Sequence, residues 1–484
     1  MIWLLPTEIR CKTAYFIITS TYGIYKKEVL MSRSKKEMDL TVGDPFRSLL
    51  KFAIPVILGN LFQLFYTLAD TMIVGKTLGA QSLAAVGSTS IIIYFVFCFI
   101  NGFTGGFGIC LGQRCGAKDE AGMRKSVAVS TLLSIAFTVF LTLICCLLAH
   151  QILIWMHIPS DISGEAYDYM FIVLLGTGAT VFYNMISNML RALGDSKTPL
   201  YFLVFSSILN IFLDLLFIVP FHMGVGGVAW ATILSQFLSA ILSLVVGLKN
   251  FPVLHLHRED FHDLKASAVL HLKTGFPMGF QMSVMCIGQL AMQTGVNSLG
   301  SVAVAGYTAA TKVDQLSVLM NNAFGIALSS FVAQNYGAGQ YRRISEGVRA
   351  CLVQIELCNV LMCALLLGCR HLVVPLFLDS PTAEVIRYSD GYLFAVCPFY
   401  VVLGLLMVFR TAIQSMGNSR TPFEACVIEL VMRILGSVGL AALLAPYGLS
   451  YTGICLSHTL AWLGATALLM PVYFRQMKAL PLSQ

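Results

Sequence analysis

Long apolar runs recur along almost the whole chain and are separated by short polar segments. A run of about 20 apolar residues is the length that an α-helix needs to cross the hydrocarbon core of a bilayer. Because backbone groups in lipid must be satisfied internally, each run predicts a spanning helix and the whole chain an all-α polytopic membrane protein. The twelve predicted spans are 47–75, 87–112, 126–149, 167–190, 198–220, 226–248, 271–297, 303–332, 347–369, 388–411, 422–445 and 450–473.

Lysine and arginine residues are concentrated in alternate loops between these spans. They precede the first span and follow the second, fourth, sixth, eighth, tenth and twelfth, whereas the intervening loops hold only Lys76, Arg370 and Arg387. Cytoplasmic loops of membrane proteins carry such an excess of basic residues. The alternation supports the count of twelve spans, and it predicts a multi-pass protein of the plasma (cytoplasmic) membrane with both termini in the cytoplasm.

Composition agrees with a membrane protein and argues against other classes. Of the 484 residues, 57% are hydrophobic and 11% are charged, compared with roughly 25% charged in a typical soluble domain. The net charge of +7 does not predict nucleic-acid binding, because the basic residues lie in short loops between apolar runs. The 14 cysteines show no zinc or redox spacing and are interpreted as small packing residues.

The chain repeats itself at a spacing of 221 to 223 residues. "LGAQSLAA" from Leu78 recurs as "LGSVAVAG" from Leu299, and "ALGDSKTP" from Ala192 recurs as "SMGNSRTP" from Ser415. The repeat unit holds six spans, an even number, so both halves insert with the same orientation. Duplication can serve stability alone, but two parallel six-helix lobes with buried polar residues favour a transporter with a central cavity.

The bounds of the spans and the repeat together predict the domain organisation. We interpret the first 40 residues as a non-functional N-terminal extension, disordered or preceding the true start, with Met31 and Met38 as alternative start codons. The predicted domains are 1–40 (extension), 41–250 (first lobe), 251–270 (cytoplasmic linker), 271–475 (second lobe) and 476–484 (cytoplasmic tail).

Two aspartates lie inside predicted spans, where an ionisable side chain costs about 2.5–3.5 kcal/mol on insertion scales. Asp70 lies deep in the first span, and Asp214 lies in the fifth span, four residues after Asn210 and on the same helix face. Neither aspartate has a Lys or Arg one turn away, which favours a functional role over helix-joining hydrogen bonds. Thr232 in the sixth span is a further polar residue at membrane depth.

Either of two cations suits the paired carboxyl groups. Burial and a like-charged neighbour favour a bound proton, whereas carboxylate, amide and hydroxyl oxygens suit Na⁺, by analogy with other hard cations. Three more polar side chains, Gln63, Asn184 and Asn188, lie at two-turn or one-turn spacings in the first and fourth spans. They either line a substrate cavity or join helices.

The second half lacks this carboxylate pattern. The position that matches Asp70 is Met292. Glu429 and Arg433 are four residues apart and are expected to pair with each other. Lys312 and Asp314 are two residues apart and do not face each other, and their role is left open. The ion-coupling site is therefore predicted in the first half only.

Several longer segments carry a family resemblance, namely "FAIPVILGNLFQLFYTLADTMIVGKTLGAQSLAAVG", "RALGDSKTP", "LNIFLDLLFI", "GVGGVAWATILSQ" and "GFPMGFQ". Over residues 45–475 the chain resembles the MATE (multidrug and toxic compound extrusion) family. The resemblance implies a V-shaped pair of six-helix lobes and cation-driven antiport. The DinF-like branch places its ion site on residues that correspond to Asp70, Asn210, Asp214 and Thr232. The NorM-like branch uses a seventh-helix Glu, which is absent here, so the resemblance implies a member of the DinF-like branch.

The expected function is secondary active export of amphipathic, often cationic compounds by antiport with H⁺ or Na⁺. No cofactor is expected, the partners are small-molecule substrates and the lipid bilayer, and the chain is expected to be a monomer. One alternative is a flippase for a lipid-linked oligosaccharide, although a more cationic cavity would suit its pyrophosphate. An intramembrane enzyme is disfavoured, because no Gly-x-Gly-Asp, His-Glu-x-x-His, nucleophile-elbow or P-loop motif occurs.

Overall fold

The computed structural model describes residues 38–156, 158–376 and 382–481. From Leu40 onward the chain forms one compact unit. No strand occurs in the described ranges, in agreement with the all-α prediction. The extension predicted for residues 1–40 lies outside the described residues apart from its last three positions, and it stays a prediction.

Fourteen α-helices of at least 13 residues make up the described chain, connected by short turns. Their bounds are α1 (Pro45–Thr77), α2 (Ala80–Gly116), α3 (Glu120–Trp155), α4 (Ser163–Leu175), α5 (Thr177–Ala192), α6 (Lys197–Ile218), α7 (Gly224–Asn250), α8 (Lys265–Asn297), α9 (Ser301–Gly337), α10 (Tyr341–Gly368), α11 (Ala383–Val396), α12 (Tyr400–Ser415), α13 (Arg420–Leu444) and α14 (Ser450–Ala479). Two 3₁₀ turns, Pro252–Leu254 and Arg258–Phe261, lie in the predicted linker before α8.

These helices give the twelve predicted spans. Within the described residues, ten spans are long and apolar enough to cross a membrane, with α11 and α12 taken as one, and the bent pair α4 and α5 is an eleventh. The twelfth is α8, whose 33 residues are long enough but include three glutamines that lower its mean hydropathy. The helices extend beyond the predicted spans at most ends, and α14 continues to Ala479 into the predicted tail.

Two spans are broken at equivalent places, which the apolar pattern did not predict. The fourth span bends by 43° at Gly176, between α4 and α5. The tenth span is interrupted by the 3₁₀ turn Cys397–Phe399, between α11 and α12. Pro398 lacks a backbone N–H and cannot continue an α-helical ladder, and glycine is a poor helix former. The two breaks are about 222 residues apart, so they follow the repeat.

The alternating basic loops define two sides of the molecule. We name the side that carries the loops after α2, α5, α7, α9 and α12 the basic face, and the other side the opposite face. Large apolar side chains point outward between the two faces: Leu147 is 80% exposed and Val438 is 70% exposed. A soluble protein rarely leaves so many large side chains uncovered, so this belt is the surface that lipid covers.

Helices of the two halves cross with their backbones in direct contact. A Cβ atom added to Gly106 of α2 would lie 2.7 Å from the Cα atom of Gly275 in α8. One turn further along, a Cβ on Gly102 would meet the backbone of Met278 and of Gly279. Both helices thus carry small residues four positions apart, the pattern that lets membrane helices approach closely. No larger side chain fits between α2 and α8 at this depth.

This contact predicts different effects of alanine at two adjacent glycines. Gly106→Ala forces a methyl group into the backbone of α8, and overpacking of this kind costs about 1–3 kcal/mol. A Cβ on Gly105 would instead meet only the end of the Met278 side chain, at 3.5 Å. We expect Gly106→Ala to lower the thermal unfolding midpoint of the purified protein clearly below that of Gly105→Ala. Equal midpoints for the two variants would contradict the close backbone contact.

Candidate ion-binding site

The two aspartates meet at the same membrane depth. Asp70 lies seven residues before the end of α1, and Asp214 lies four residues before the end of α6, so both are nearer the opposite face. Their carboxyl groups lie within hydrogen-bonding reach of each other. Asp214 is fully buried, and Asp70 is half-buried. The structure therefore brings together two carboxyl groups that are 144 positions apart in the sequence.

Asn210 and Thr232 complete one side of this pair. With its amide nitrogen toward the carboxyl group, Asn210 donates to Asp214 Oδ2 at 3.1 Å, and its amide oxygen accepts from the backbone N–H of Thr232 at 3.2 Å. The Thr232 hydroxyl donates to the Val228 carbonyl of its own helix at 3.1 Å. Asn210 is 1% exposed. It thus holds Asp214 in place and joins α6 to α7 at the level of the carboxyl pair.

No basic side chain in the described part of the chain balances the charge of the pair. Asp70 Oδ1 and Asp214 Oδ1 are buried, and neither has a hydrogen-bond partner among the described residues. No ion pair of the described chain involves either aspartate. Two negative charges in contact repel strongly where water is scarce. A proton shared by the carboxyl groups, or a metal ion among their oxygens, removes this repulsion.

Two tyrosines beside the carboxyl pair were missed by the sequence analysis. The Tyr66 hydroxyl lies beside the Thr232 side chain and close to Asp70, and Tyr169 of α4 lies close to both Asp70 and Asp214. Tyr66 precedes Asp70 by four residues on the same helix face, so its spacing was a usable signal. Tyr169 has no such signal, because its position depends on how α4 packs against α2, α3 and α7.

None of the described contacts of the three weaker candidates is with the carboxyl pair. Gln63 is exposed on α1, and no described contact joins its side chain to either aspartate. Asn184 donates to the Thr180 carbonyl one turn earlier at 2.8 Å. Asn188 donates to Thr104 Oγ1 of α2 at 3.1 Å. Asn188 therefore joins two helices, which is the alternative that the sequence analysis left open for it.

In the second half, the buried acid Glu429 is paired within the protein, whereas both carboxylate oxygens of Glu356 in α10 are buried with no hydrogen-bond partner among the described residues. Glu429 lies between two arginines: Arg433 donates to its Oε2 at 3.4 Å, as the spacing predicts, and Arg410 of α12 donates to its Oε1. All three side chains are at most 5% exposed. The Arg410 contact was missed because it comes from another helix.

The open question about Lys312 and Asp314 has a structural answer. Asp314 accepts hydrogen bonds from the hydroxyl groups of Tyr392, at 3.1 Å, and Tyr400. Lys312 is exposed on the same helix, α9. The two side chains therefore have different surroundings and do not form a pair.

Glu429 is expected to be essential for stability, whereas its neighbour Glu424 is not. Glu429→Gln leaves two buried guanidinium groups without a negative partner, and breaking a buried pair in this way costs about 3–5 kcal/mol. Glu424 lies in the same helix and pairs with Arg420 at 2.8 Å, but that pair is exposed, and such pairs contribute at most about 1 kcal/mol. Thermal unfolding and membrane yield of Glu429→Gln and Glu424→Gln test this difference. A Glu429→Gln protein as stable as Glu424→Gln would show that the arginines find other partners.

Comparison with known proteins agrees with these features. The MatE family model matches residues 55–216 and 277–438, one stretch in each half and together more than half of the chain. The "Probable multidrug resistance protein YpnP" of Bacillus subtilis is 30% identical over 386 residues, covering 79% of this chain and 85% of the relative. The "FAD transporter" of Shewanella oneidensis is 24% identical, covering 82% and 87%.

Solved structures show the same architecture. A crystal structure of MATE in complex with MaL6 superposes with a TM-score of 0.84 at 24% identity and covers 92% of this chain and 99% of that one. A transporter of the MOP superfamily from Pyrococcus furiosus Vc1 gives a TM-score of 0.83 at 23% identity, with the same coverage. Twelve helices in two parallel lobes are thus the fold of these proteins and of this one. Members of this family are transporters, not enzymes, and need no cofactor. The chain belongs to the MatE family of multidrug and toxic compound extrusion transporters.

Proposed function

We propose that this protein exports amphipathic, often cationic organic compounds in exchange for H⁺ or Na⁺, and that Asp70 and Asp214 form the ion-coupling site. The observation that carries this proposal is the contact between two carboxyl groups from different helices with no basic partner among the described residues. Several relatives are named multidrug resistance or multidrug export proteins, which supports drug-like cargo.

Coupling follows if the ion and the cargo compete for the same negative charge. When the site is open to the opposite face, H⁺ or Na⁺ neutralises the carboxyl pair and weakens its attraction for a cationic cargo. When the site is open to the basic face, the ion leaves and the charged pair attracts new cargo. One elementary charge crossing a potential of 100 mV supplies about 2.3 kcal/mol. That energy changes the occupancy of such a site by more than tenfold.

The orientation and the moving parts belong to the same proposal. We assign the basic face to the cytoplasm of a cell membrane, because Lys and Arg accumulate in cytoplasmic loops, which places both termini there. The two lobes, 41–250 and 271–475, act as the bodies that move against each other, joined by the linker 251–270. Each lobe carries its own set of six spans, so a monomer suffices for transport.

The negative charge of the carboxyl pair also argues against two other classes of cargo, both of them anionic. A flippase for a pyrophosphate-linked lipid is not favoured, because the unbalanced charge in the first half is negative. The relative from Shewanella oneidensis is named an FAD transporter, and FAD carries negative phosphates. Here the carboxyl pair favours cationic cargo over such an anion. Vesicles that contain the protein should therefore transport ethidium and not FAD.

Neutralising either aspartate should abolish export. We expect Asp70→Asn and Asp214→Asn each to reduce ethidium or norfloxacin efflux at least tenfold in a host that lacks other pumps, since one charge of the competing site is removed. Asp263→Asn is a matched control, because Asp263 is an exposed loop residue with positive φ that asparagine tolerates. Efflux by both site variants at the wild-type rate would refute the assignment.

The identity of the coupling ion should appear in vesicles with the two gradients imposed separately. We expect either the pH gradient or the Na⁺ gradient to drive efflux, but not both. Asn210→Ala removes the donor to Asp214 and one possible Na⁺ ligand. For a Na⁺-coupled protein it should raise the Na⁺ concentration for half-maximal efflux several-fold, whereas Asn188→Ala should leave that concentration unchanged. Equal shifts for the two variants would mean that Asn210 acts only by joining helices.

A further inference from the structure

The second helix of each repeat, α2 and α9, ends against its counterpart at the basic face. A Cβ atom on Gly116, the last residue of α2, would overlap the backbone carbonyl of Gln334. A Cβ on Gly337, the last residue of α9, would overlap the backbone carbonyl of Gln113. The two relations are the same contact seen from each half, because Gln113 and Gln334 are 221 positions apart, as are Gly116 and Gly337.

Two glutamine side chains bridge the halves at this crossing. Gln113 Nε2 donates to the backbone carbonyl of Ser415 in the second half, at 2.8 Å. Gln334 Nε2 donates to the backbone carbonyl of Ala192 in the first half, also at 2.8 Å. Ala192 and Ser415 are the last residues of α5 and α12 and are 223 positions apart. We name these four residues the reciprocal latch.

The segment that leads into α1 is fastened to the same place. Leu40 is fully buried, its N–H donates to Gln334 Oε1 at 3.1 Å, and its carbonyl accepts from Asn335 Nδ2 at 3.1 Å. Arg343 at the start of α10 donates to the carbonyls of Val42, at 2.8 Å, and Gly43, at 2.6 Å. The residues from Leu40 to Gly43, which lead into α1, are thus held by two helices of the second half, beside the reciprocal latch.

The chemistry of the latch suits a contact that opens and closes. Carbonyl groups in the last turn of a helix have no partner within the helix, so water can replace the glutamine amide when the halves separate. The bridges are neutral, and opening them leaves no unpaired charge. The crossing of α2 and α9 is closed to solvent, since Gln334 is 3% exposed and Ala333 is 1% exposed.

We propose that the reciprocal latch is the gate that closes the transport pathway at the basic face, and that its two bridges break together when the pathway opens to that face. The inference rests on the proposed function, because alternating access requires the halves to separate at each face in turn. Symmetry is the reason that both bridges break together, since the same crossing of α2 and α9 positions each glutamine.

A disulfide across the crossing tests whether the latch has to open. A Cβ on Gly112 would lie 3.1 Å from the Cβ atom of Ala333, close to the 3.5–4.5 Å of a disulfide. Gly112→Cys/Ala333→Cys joins the two halves, whereas the control Gly436→Cys/Ser457→Cys, at 2.8 Å, joins α13 to α14 within the second half. Mass spectrometry of non-reduced peptides identifies each disulfide among the native cysteines.

We expect oxidant to form both disulfides. The one between the halves should reduce efflux at least tenfold and dithiothreitol should restore it, whereas the control pair should keep its efflux. Failure of the 112–333 disulfide to form would show that the crossing is not closed as described. Full efflux by protein carrying that disulfide would show that the ends need not separate. Either result overturns the proposal.

A second measurement does not depend on transport and therefore separates failure of the latch from failure of the proposed function. Ala333→Cys, in protein embedded in lipid nanodiscs, should react slowly with a water-soluble maleimide because position 333 is buried. Adding Gln113→Ala and Gln334→Ala should raise its labelling rate several-fold, whereas adding Gln340→Ala, an exposed glutamine at the same face, should not. An unchanged rate in the double glutamine variant would overturn the latch even if efflux is confirmed. If the wild-type protein exports nothing but the labelling rates change as expected, only the proposed function is contradicted.

Discussion

Lipid offers no partner to a charged group, so every ionised side chain in the membrane layer has to be neutralised within the protein or by something that the protein binds. The second half meets this constraint only in part: Glu429 lies between Arg410 and Arg433, one negative charge for two positive ones, and the carboxylate of Glu356 is buried with no hydrogen-bond partner among the described residues. In the first half, Asp70 and Asp214 share their site with an amide, a threonine and two tyrosines, and no ion pair among the described residues includes either aspartate. A cation bound between these two carboxyl groups would supply the positive charge that they lack, and this is the physical basis of the proposed coupling.

The duplicated halves share a scaffold but not a chemistry. The turns at Gly194 and Gly417 both need a positive φ, of 92° and 96°, and the breaks in the fourth and tenth spans occur at equivalent positions. The backbone is therefore constrained at the same places in both halves. Side chains in the spans are free of that constraint, and they have diverged so far that Met292 occupies the position that corresponds to Asp70.

Much of the fold could be predicted from apolar runs, because the bilayer requires a fixed length of helix. The breaks at Gly176 and Pro398 were not predicted, since a hydrophobic average is insensitive to a single residue that interrupts backbone hydrogen bonds. For the site, polarity at membrane depth was enough to select Asp70, Asn210 and Asp214. Tyr169 and Arg410 were out of reach, because each contacts its partners through helix packing that no local spacing encodes.

The backbone contact of α2 with α8 has a mechanical consequence. The crossing at Gly102 and Gly106 lies about 15 Å from the end of α2 at the basic face and about 33 Å from its other end, at 1.5 Å per residue. Because the two backbones touch at this crossing, tilting one helix on the other leaves the crossing in place and turns α2 into a lever with unequal arms. A modest separation at the short arm then corresponds to a displacement roughly twice as large at the long arm.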